Sequence, residues 1–402
     1  MSYPARHPLS RIARRGALAL LSSLLALVLG EVVLRVFSRD AFYVWPPHLH
    51  QELHPTPDVL PGVNGTSRFE INSIGMRGDE LSKARDFRIL ALGGSTTECL
   101  YLDQTEAWPH LLQERLGPRA WVGNAGRSGL HTRHHRLQAE KLLDQLPRME
   151  AVIVLTGVND LSVRLSQDTA WKPADFTSPK ALSGLMQEAF AIQPPRLMDG
   201  PFYNKTVLWQ MAKSLGRTLQ SGGATQDALG RVYETWRRHR HEALRVRQRL
   251  PDLGPALAEC GDNLRAIARS AALHQARIVF VTQPFLWRDD LPPDLQRLLW
   301  LGGVGPFQKE AGHEYYSVSA LAAGMDAYNR TLLATCRRIP GAVCVDLAAL
   351  LPKDTTVFYD DVHFNEAGSR RVAEILAERL AAAPFQGSPP PSAAGRRAIV
   401  SE

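Results

Sequence analysis

Cysteine is scarce in this 402-residue chain, which carries four, at positions 99, 260, 336 and 344. They are too few and too scattered for a disulfide scaffold or a zinc site. Cys336 and Cys344 are close enough to pair in an oxidising compartment, although the spacing does not demand it. Internal repeats are absent. No nucleic-acid-binding motif accompanies the net charge of +7, which excludes the most direct reason for a basic chain. The arginine-rich stretch containing Arg237, Arg238, Arg240, Arg245, Arg247 and Arg249 reads as a solvated helix face.

Long hydrophobic runs are equally rare, and the one present lies near the N-terminus. Arg6, Arg11, Arg14 and Arg15 precede the uncharged stretch "GALALLSSLLALVLG", residues 16–30. That stretch is short of the ~20 residues needed to span a bilayer. Extension through "EVVLRVF" to Phe37 supplies the length, with Glu31 and Arg35 one turn apart and able to pair. No small-x-small cleavage site follows, so the segment reads as an uncleaved signal anchor rather than a removed leader. The basic flank then stays in the cytoplasm and the rest is exported, giving a single-pass membrane protein with a periplasmic or extracytoplasmic domain.

Beyond the anchor the organisation is regular. Residues 1–15 form the basic cytoplasmic segment, 16–37 the anchor and 38–85 a Pro-, His- and Gly-rich linker and arm. Within the arm, "INSIGMRG" (71–78) reads as a tight turn against the folded body. Apolar runs bounded by turn residues occur at 88–93, 120–125, 151–156, 276–282 and 342–346, as suits strands buried on both faces. Helical patterns lie between and after them, near 106–116, 134–146, 255–274, 317–337 and 365–382. Such alternation implies βαβ units and a mostly parallel central sheet in a three-layer α/β/α sandwich. Residues 165–250 interrupt the rhythm as a helical insertion, and 386–402 read as a disordered tail.

Four segments place polar residues just beyond apolar strands, where open parallel sheets gather their functional groups. "LALGGSTTE" puts Ser95 at a strand-to-helix turn, near free N–H groups. A helix cap by Ser95 or Thr96 would explain it as simply. "GNAGRSGLHT" (123–132) lets the backbone approach a ligand, with the Gly129 N–H free to point at an oxyanion; taken alone it is an ordinary loop. "VLTGVNDL" (154–161) offers the Asn159 amide as a further donor, though asparagine at a turn is commonplace. "VFYDDVHFNEAG" (357–368) spaces Asp360 three residues before His363. That spacing lets the carboxylate hold Nδ1–H while Nε2 takes the proton of a serine. Alternatively, Asp361 or Asn365 merely caps the last helix.

Taken in order, "GGSTTE", "NAGRSG", "GVND" and "DDVHFNEAG" resemble the four blocks of the SGNH, or GDSL-like, hydrolases over roughly residues 86–385. Gly94 departs from the pattern, standing where an aspartate is usual. The resemblance implies an SGNH-type, flavodoxin-like sandwich and a serine esterase or acylhydrolase. Ser95 would be the nucleophile, His363 the base and Asp360 its orienting carboxylate. Ser95, Gly129 and Asn159 would form the oxyanion hole. Beside them Gly94 and Thr96 are expected along the substrate, as is Gln283 where "VTQP" (281–284) ends a strand, although a turn before Pro284 explains Gln283 equally well. No metal and no organic cofactor is implied. An acyl ester, in particular an acetyl ester on a cell-envelope or extracellular glycan, is the expected substrate. A polysaccharide O-acyltransferase using the same triad and a non-catalytic glycan-binding or assembly protein are the competing readings.

Other residues weigh less. His131, His134 and His135 read as a helix surface, since no carboxylate or cysteine cluster completes a metal site. Trp287, Tyr315 and Tyr316 suit core packing better than sugar stacking.

Overall fold

The computed structural model describes residues 8–37, 41–194, 201–209 and 228–382. The tail 386–402, parts of the basic N-terminal segment and parts of the 165–250 insertion lie outside the described residues. The chain divides into two units. One comprises residues 1–41 with 193–224, and the other residues 42–192 with 225–402.

The larger unit is built on five parallel strands: β3 (Phe87–Gly93), β4 (Ala120–Asn124), β5 (Ala151–Leu155), β7 (Arg277–Val281) and β9 (Val343–Val345). Their order is β4-β3-β5-β7-β9, with Ile89 opposite Ala151 and Val152 opposite Ile278. Every residue of β4 and β5 is buried, which is why these strands read as unbroken apolar runs. Four two- to four-residue strands stand outside this sheet: β1 (His50–Leu53) pairs β2 (Ser67–Glu70), and β6 (Val246–Arg247) pairs β8 (Tyr315–Tyr316).

Helices cover both faces. α4 (Thr132–Gln145), α8 (Gly254–Leu273) and α9 (Val318–Cys336) pack together over one face, and α3 (Trp108–Leu116) packs with α10 (Glu366–Ala382) over the other. The other helices among the described residues include α1 (Pro8–Phe37), α2 (Ser95–Glu98), α5 (Val158–Gln167), α6 (Pro179–Ala189) and, in the insertion, α7 (Ala228–His241), with two short ones at Pro293–Gln296 and Leu347–Leu350. The result is the expected three-layer sandwich. The chain leaves β3 towards β4 on one side and resumes at β5 on the other. The carboxyl ends of β3 and β5 therefore flank a topological switch point, where such sheets bind ligands.

Two surface expectations fail. His131, His134 and His135 are buried, because α4 is covered by both α6 and α8. Arg237 and Arg240 also turn inward. Arg237 donates to the carbonyls of Val59, Leu298 and Tyr359, and Arg240 to those of Leu301 and Tyr316, so they cap loop backbone instead of lining a solvated face. Trp287, Tyr315 and Tyr316 are core residues at 1% exposure each. Cys336 and Cys344 form a disulfide. In the smaller unit, Arg14–Arg35 is long and apolar enough to cross a membrane.

Candidate active site

β3 ends on Gly93 because nothing larger fits there. A Cβ at Gly93 would lie 2.0 Å from Thr97 Oγ1 and 2.8 Å from the Leu155 carbonyl. α2 therefore folds down directly on the strand end. Gly94 is its N-cap and makes no side-chain cap bond, so the capping role considered for Ser95 and Thr96 is not used. Ser95 is partly exposed, and its Oγ stands 2.7 Å from His363 Nε2, 268 residues downstream.

His363 is in turn held by Asp360, which is fully buried. Nδ1 lies 2.7 Å from Asp360 Oδ2 and 2.9 Å from Oδ1. Oδ1 also accepts the backbone N–H groups of Val362 and His363 at 3.0 and 2.8 Å, and Oδ2 accepts Trp300 Nε1–H at 2.9 Å. Burial alone would raise the Asp360 pKa, but the His363 charge and these donors outweigh it and hold the carboxyl below its usual range. For His363 burial acts downward, yet the Asp360 carboxylate dominates and the imidazole pKa is raised. The ring lies parallel to Tyr359 on centroids 5.5 Å apart and to Trp300 at 6.3 Å, which limits its rotation.

Three further donors were expected beside this pair. The Ser95 N–H begins α2, and neither it nor the Gly129 N–H meets an acceptor among the described residues. Gly129 adopts φ +80°, the left-handed region that favours glycine, and the space beside its Cα is open. Asn159, in the first turn of α5, donates one amide hydrogen to the Leu130 carbonyl at 2.8 Å, leaving its second. A Cβ at Gly94 would lie 2.4 Å from Asn159 Nδ2, so the amide sits directly against the turn that carries Ser95. The space that an aspartate's Cβ would occupy is filled here by asparagine.

The loop after β4 is laced to α2. Asn124 Nδ2 donates to the Thr97 carbonyl at 2.8 Å, and a Cβ at Gly126 would meet Glu98 N at 2.4 Å. Ser128 donates its hydroxyl and its N–H to the buried Glu98 carboxylate, whose pKa burial raises. The residue before Gly129 is thus fastened to the helix that carries Ser95.

Two expected ligand contacts need correction. Gln283 is fully buried; its Oε1 accepts Thr96 Oγ1–H at 3.1 Å and its Nε2 donates to the Pro284 carbonyl. Thr96 is likewise buried at 2% exposure. Both brace α2 from below instead of lining a cleft, because the first turn of α2 directs Ser95 outward and Thr96 inward.

Several supports lie outside the four sequence blocks. Trp300 donates through its indole to Asp360 and through its backbone to Asp361. Asp361 accepts Trp287 Nε1–H and the N–H groups of Trp300 and Leu301, and burial beside Asp360 pushes its pKa up to about 6. Arg77, also buried, donates to the carbonyls of Glu98, Cys99 and Leu102 and to Gln104 Oε1, and burial lowers its pKa to about 10. The "INSIGMRG" turn is the only trace of Arg77 in the sequence. Asn365, considered as a cap, does accept Gly368 N–H at the start of α10.

The model of the GDSL-like Lipase/Acylhydrolase family matches residues 91–371. Among solved structures, TesA is 16% identical, with a TM-score of 0.38 over 74% of this chain and 99% of TesA. Axe2, an acetylxylan esterase from Geobacillus stearothermophilus, is 13% identical, with a TM-score of 0.37 over 75% of this chain and 96% of Axe2. The aryl esterase of M. smegmatis is 13% identical, with a TM-score of 0.38 over 74% of this chain and all of that one. No curated protein sequence matches. The family match spans well over half of the residues, so the chain belongs to the GDSL-like lipase/acylhydrolase family and is a carboxylic ester hydrolase.

Proposed function

We propose that the protein is a serine esterase that removes small O-acyl groups, acetyl above all, from a cell-envelope or extracellular glycan. The observation that carries the reading is the hydrogen-bonded chain Ser95 Oγ to His363 Nε2 to Asp360, with links of 2.7 Å each. Ser95 Oγ attacks the ester carbonyl while its proton passes to His363 Nε2. The carbonyl oxygen, now negative, receives the Ser95 N–H, the Gly129 N–H and the free Asn159 amide hydrogen. Collapse of the tetrahedral intermediate breaks the ester C–O bond, and His363 gives its proton to the departing alcohol. Water, deprotonated by His363, then attacks the acyl-enzyme and releases the carboxylate and Ser95.

Export is supported by the apolar Arg14–Arg35 helix behind a basic flank and by the Cys336–Cys344 disulfide, a bond that persists in oxidising compartments. In this reading the anchor crosses the membrane once, with the large unit outside. The glycan follows from that location.

The test uses the full chain in detergent micelles, with p-nitrophenyl acetate and an acetylated glycan. Acetate release that disappears in Ser95→Ala is the expected result. Transfer of acetyl to an added glycan, with little release to water, would identify an acyltransferase. An inert wild-type protein that still binds glycan would refute catalysis.

A further inference from the structure

The smaller unit contains a clamp that the esterase reaction does not use. Along α1, residues 14–35 are exposed except for Gly30, Glu31 and Leu34, which share one face and are partly covered. The cover comes from a segment some 170 residues downstream. Val207 N–H donates to Glu31 Oε1 at 2.9 Å and Leu208 N–H to Glu31 Oε2 at 3.1 Å. Arg35 donates through Nε to Glu31 at 2.7 Å and through Nη2 to the Lys205 carbonyl at 2.6 Å. Leu208 Cδ1 lies 3.9 Å from where a Cβ on Gly30 would stand, so the segment rests in van der Waals reach of this face of the helix. Both oxygens of the one carboxylate in the apolar helix are therefore occupied, and its charge is matched.

Beside the clamp, three aromatic side chains face outward. Phe202 is 82% exposed, Tyr203 44% and Trp209 42%. Their rings meet edge to face, Phe202 with Tyr203 at 6.1 Å and Tyr203 with Trp209 at 5.2 Å. Such a cluster is costly to leave in water. Tyrosine and tryptophan, with an apolar body and a polar tip, settle where acyl chains meet headgroups. Lys205, exposed among them, has the reach to place its ammonium at the phosphate level.

We propose that residues 201–209 form an interfacial collar. Clamped to the last turns of α1 through Glu31, they lay Phe202, Tyr203 and Trp209 into the headgroup–acyl boundary of the bilayer that α1 spans. The collar rests on the reading of α1 as a membrane span. It explains a carboxylate at position 31, which would otherwise be unfavourable in an apolar segment. It also gives this part of the insertion a fixed place, the lipid surface on the exported side.

The test uses the full chain reconstituted in phosphatidylcholine vesicles, with bromine-labelled lipids carrying the quencher near the headgroup or near the bilayer centre. An alkaline carbonate wash first establishes whether the chain is integral. Headgroup-level bromine should then quench a part of the emission that is lost in Trp209→Phe, roughly one-eighth of the total, since the chain has 8 tryptophans. Centre-level bromine should quench that part less. Glu31→Ala, which releases the clamp while retaining Trp209, should also lose it. Equal quenching of wild type and Trp209→Phe in a wash-resistant chain overturns the collar and leaves the anchor standing. Release of the chain by the wash overturns both.

Discussion

Replacing Asp360 with asparagine changes one atom, and the surrounding donors determine which way the amide must face. Oδ1 accepts two backbone N–H groups, from Val362 and His363, so the asparagine oxygen is held on that side. The NH2 group must then take the place of Oδ2, 2.7 Å from His363 Nδ1 and 2.9 Å from Trp300 Nε1. A donor at the nearer of the two contacts to Nδ1, 2.7 Å against 2.9 Å for the oxygen, favours the imidazole proton on Nε2, the atom that must accept the Ser95 proton. The wrong tautomer should lower kcat by about 10⁴, or about 5.5 kcal/mol of transition-state stabilisation. The Trp300 indole N–H, left facing another donor, adds a fold destabilisation of about 1–3 kcal/mol. The two effects separate in Asp360→Asn combined with Trp300→Phe, which removes the donor conflict: stability should recover and activity should not. The residual activity should also titrate differently. Catalysis needs neutral His363, so the acid limb of kcat/KM follows its pKa. Without the carboxylate that chiefly raises it, burial is opposed only by the lesser pull of Asp361 and Glu98, and the limb moves to lower pH. The matching linkage is that the raised His363 pKa adds stability at low pH that is lost as pH rises through the folded-state value; this component disappears in the variant. Retention of kcat within about tenfold of wild type on p-nitrophenyl acetate would refute the assigned roles of Asp360 and His363.

Three further substitutions test the supports. Glu98→Gln leaves one acceptor for the two donors of Ser128 and loosens the turn at Gly129; kcat should fall by up to about 10²-fold with KM little changed. Gly94→Ala meets no backbone strain, since φ is −87°, but sets a Cβ against the Asn159 amide. Displacing the amide costs its hydrogen bond to the Leu130 carbonyl, so Tm should fall by the equivalent of about 1 kcal/mol while kcat drops by about 10²-fold. In steady-state assays the pair with Asn159→Ala should be no slower than Asn159→Ala alone. Replacing both Cys336 and Cys344 by serine opens a short loop and should cost about 2–3 kcal/mol, read as a lower Tm with kcat at room temperature unaffected.

The sheet was legible because its strands are buried on both faces. "AVIVL" at 151–155 contains no polar residue to confuse its period, and it became β5 to within one residue of the expected boundary. α4 was legible as a helix and misread as to environment. The sequence "TRHHRLQ" has the polarity of an exposed turn, yet α6 and α8 both lie over it and His135 is fully buried. Periodicity records which residues could be exposed; it contains no record of which neighbour arrives later. Arg237 and Arg240 illustrate the same limit, since their partners are carbonyls of four separate segments that no local pattern connects.

The candidate site divides along the same line. Ser95, Gly129, Asn159 and the Asp360–His363 pair each follow a strand or precede a helix, so topology carries them to one sheet edge and their polarity stands out against apolar surroundings. Trp300 and Arg77 act across long sequence separations and look like any core aromatic or surface cation. The most instructive case is the doublet at 360 and 361, where two identical side chains are adjacent. Position 360, three residues before His363, brings its carboxylate to Nδ1, and the charge of the imidazole keeps its pKa low. Position 361 points away, accepts hydrogen bonds from neutral N–H donors, and is pushed up to about 6 by burial and by its neighbour against the opposing charge of Arg240. Spacing alone could nominate the pair; the difference between an orienting carboxylate and a structural one arises from which donors the fold brings to each.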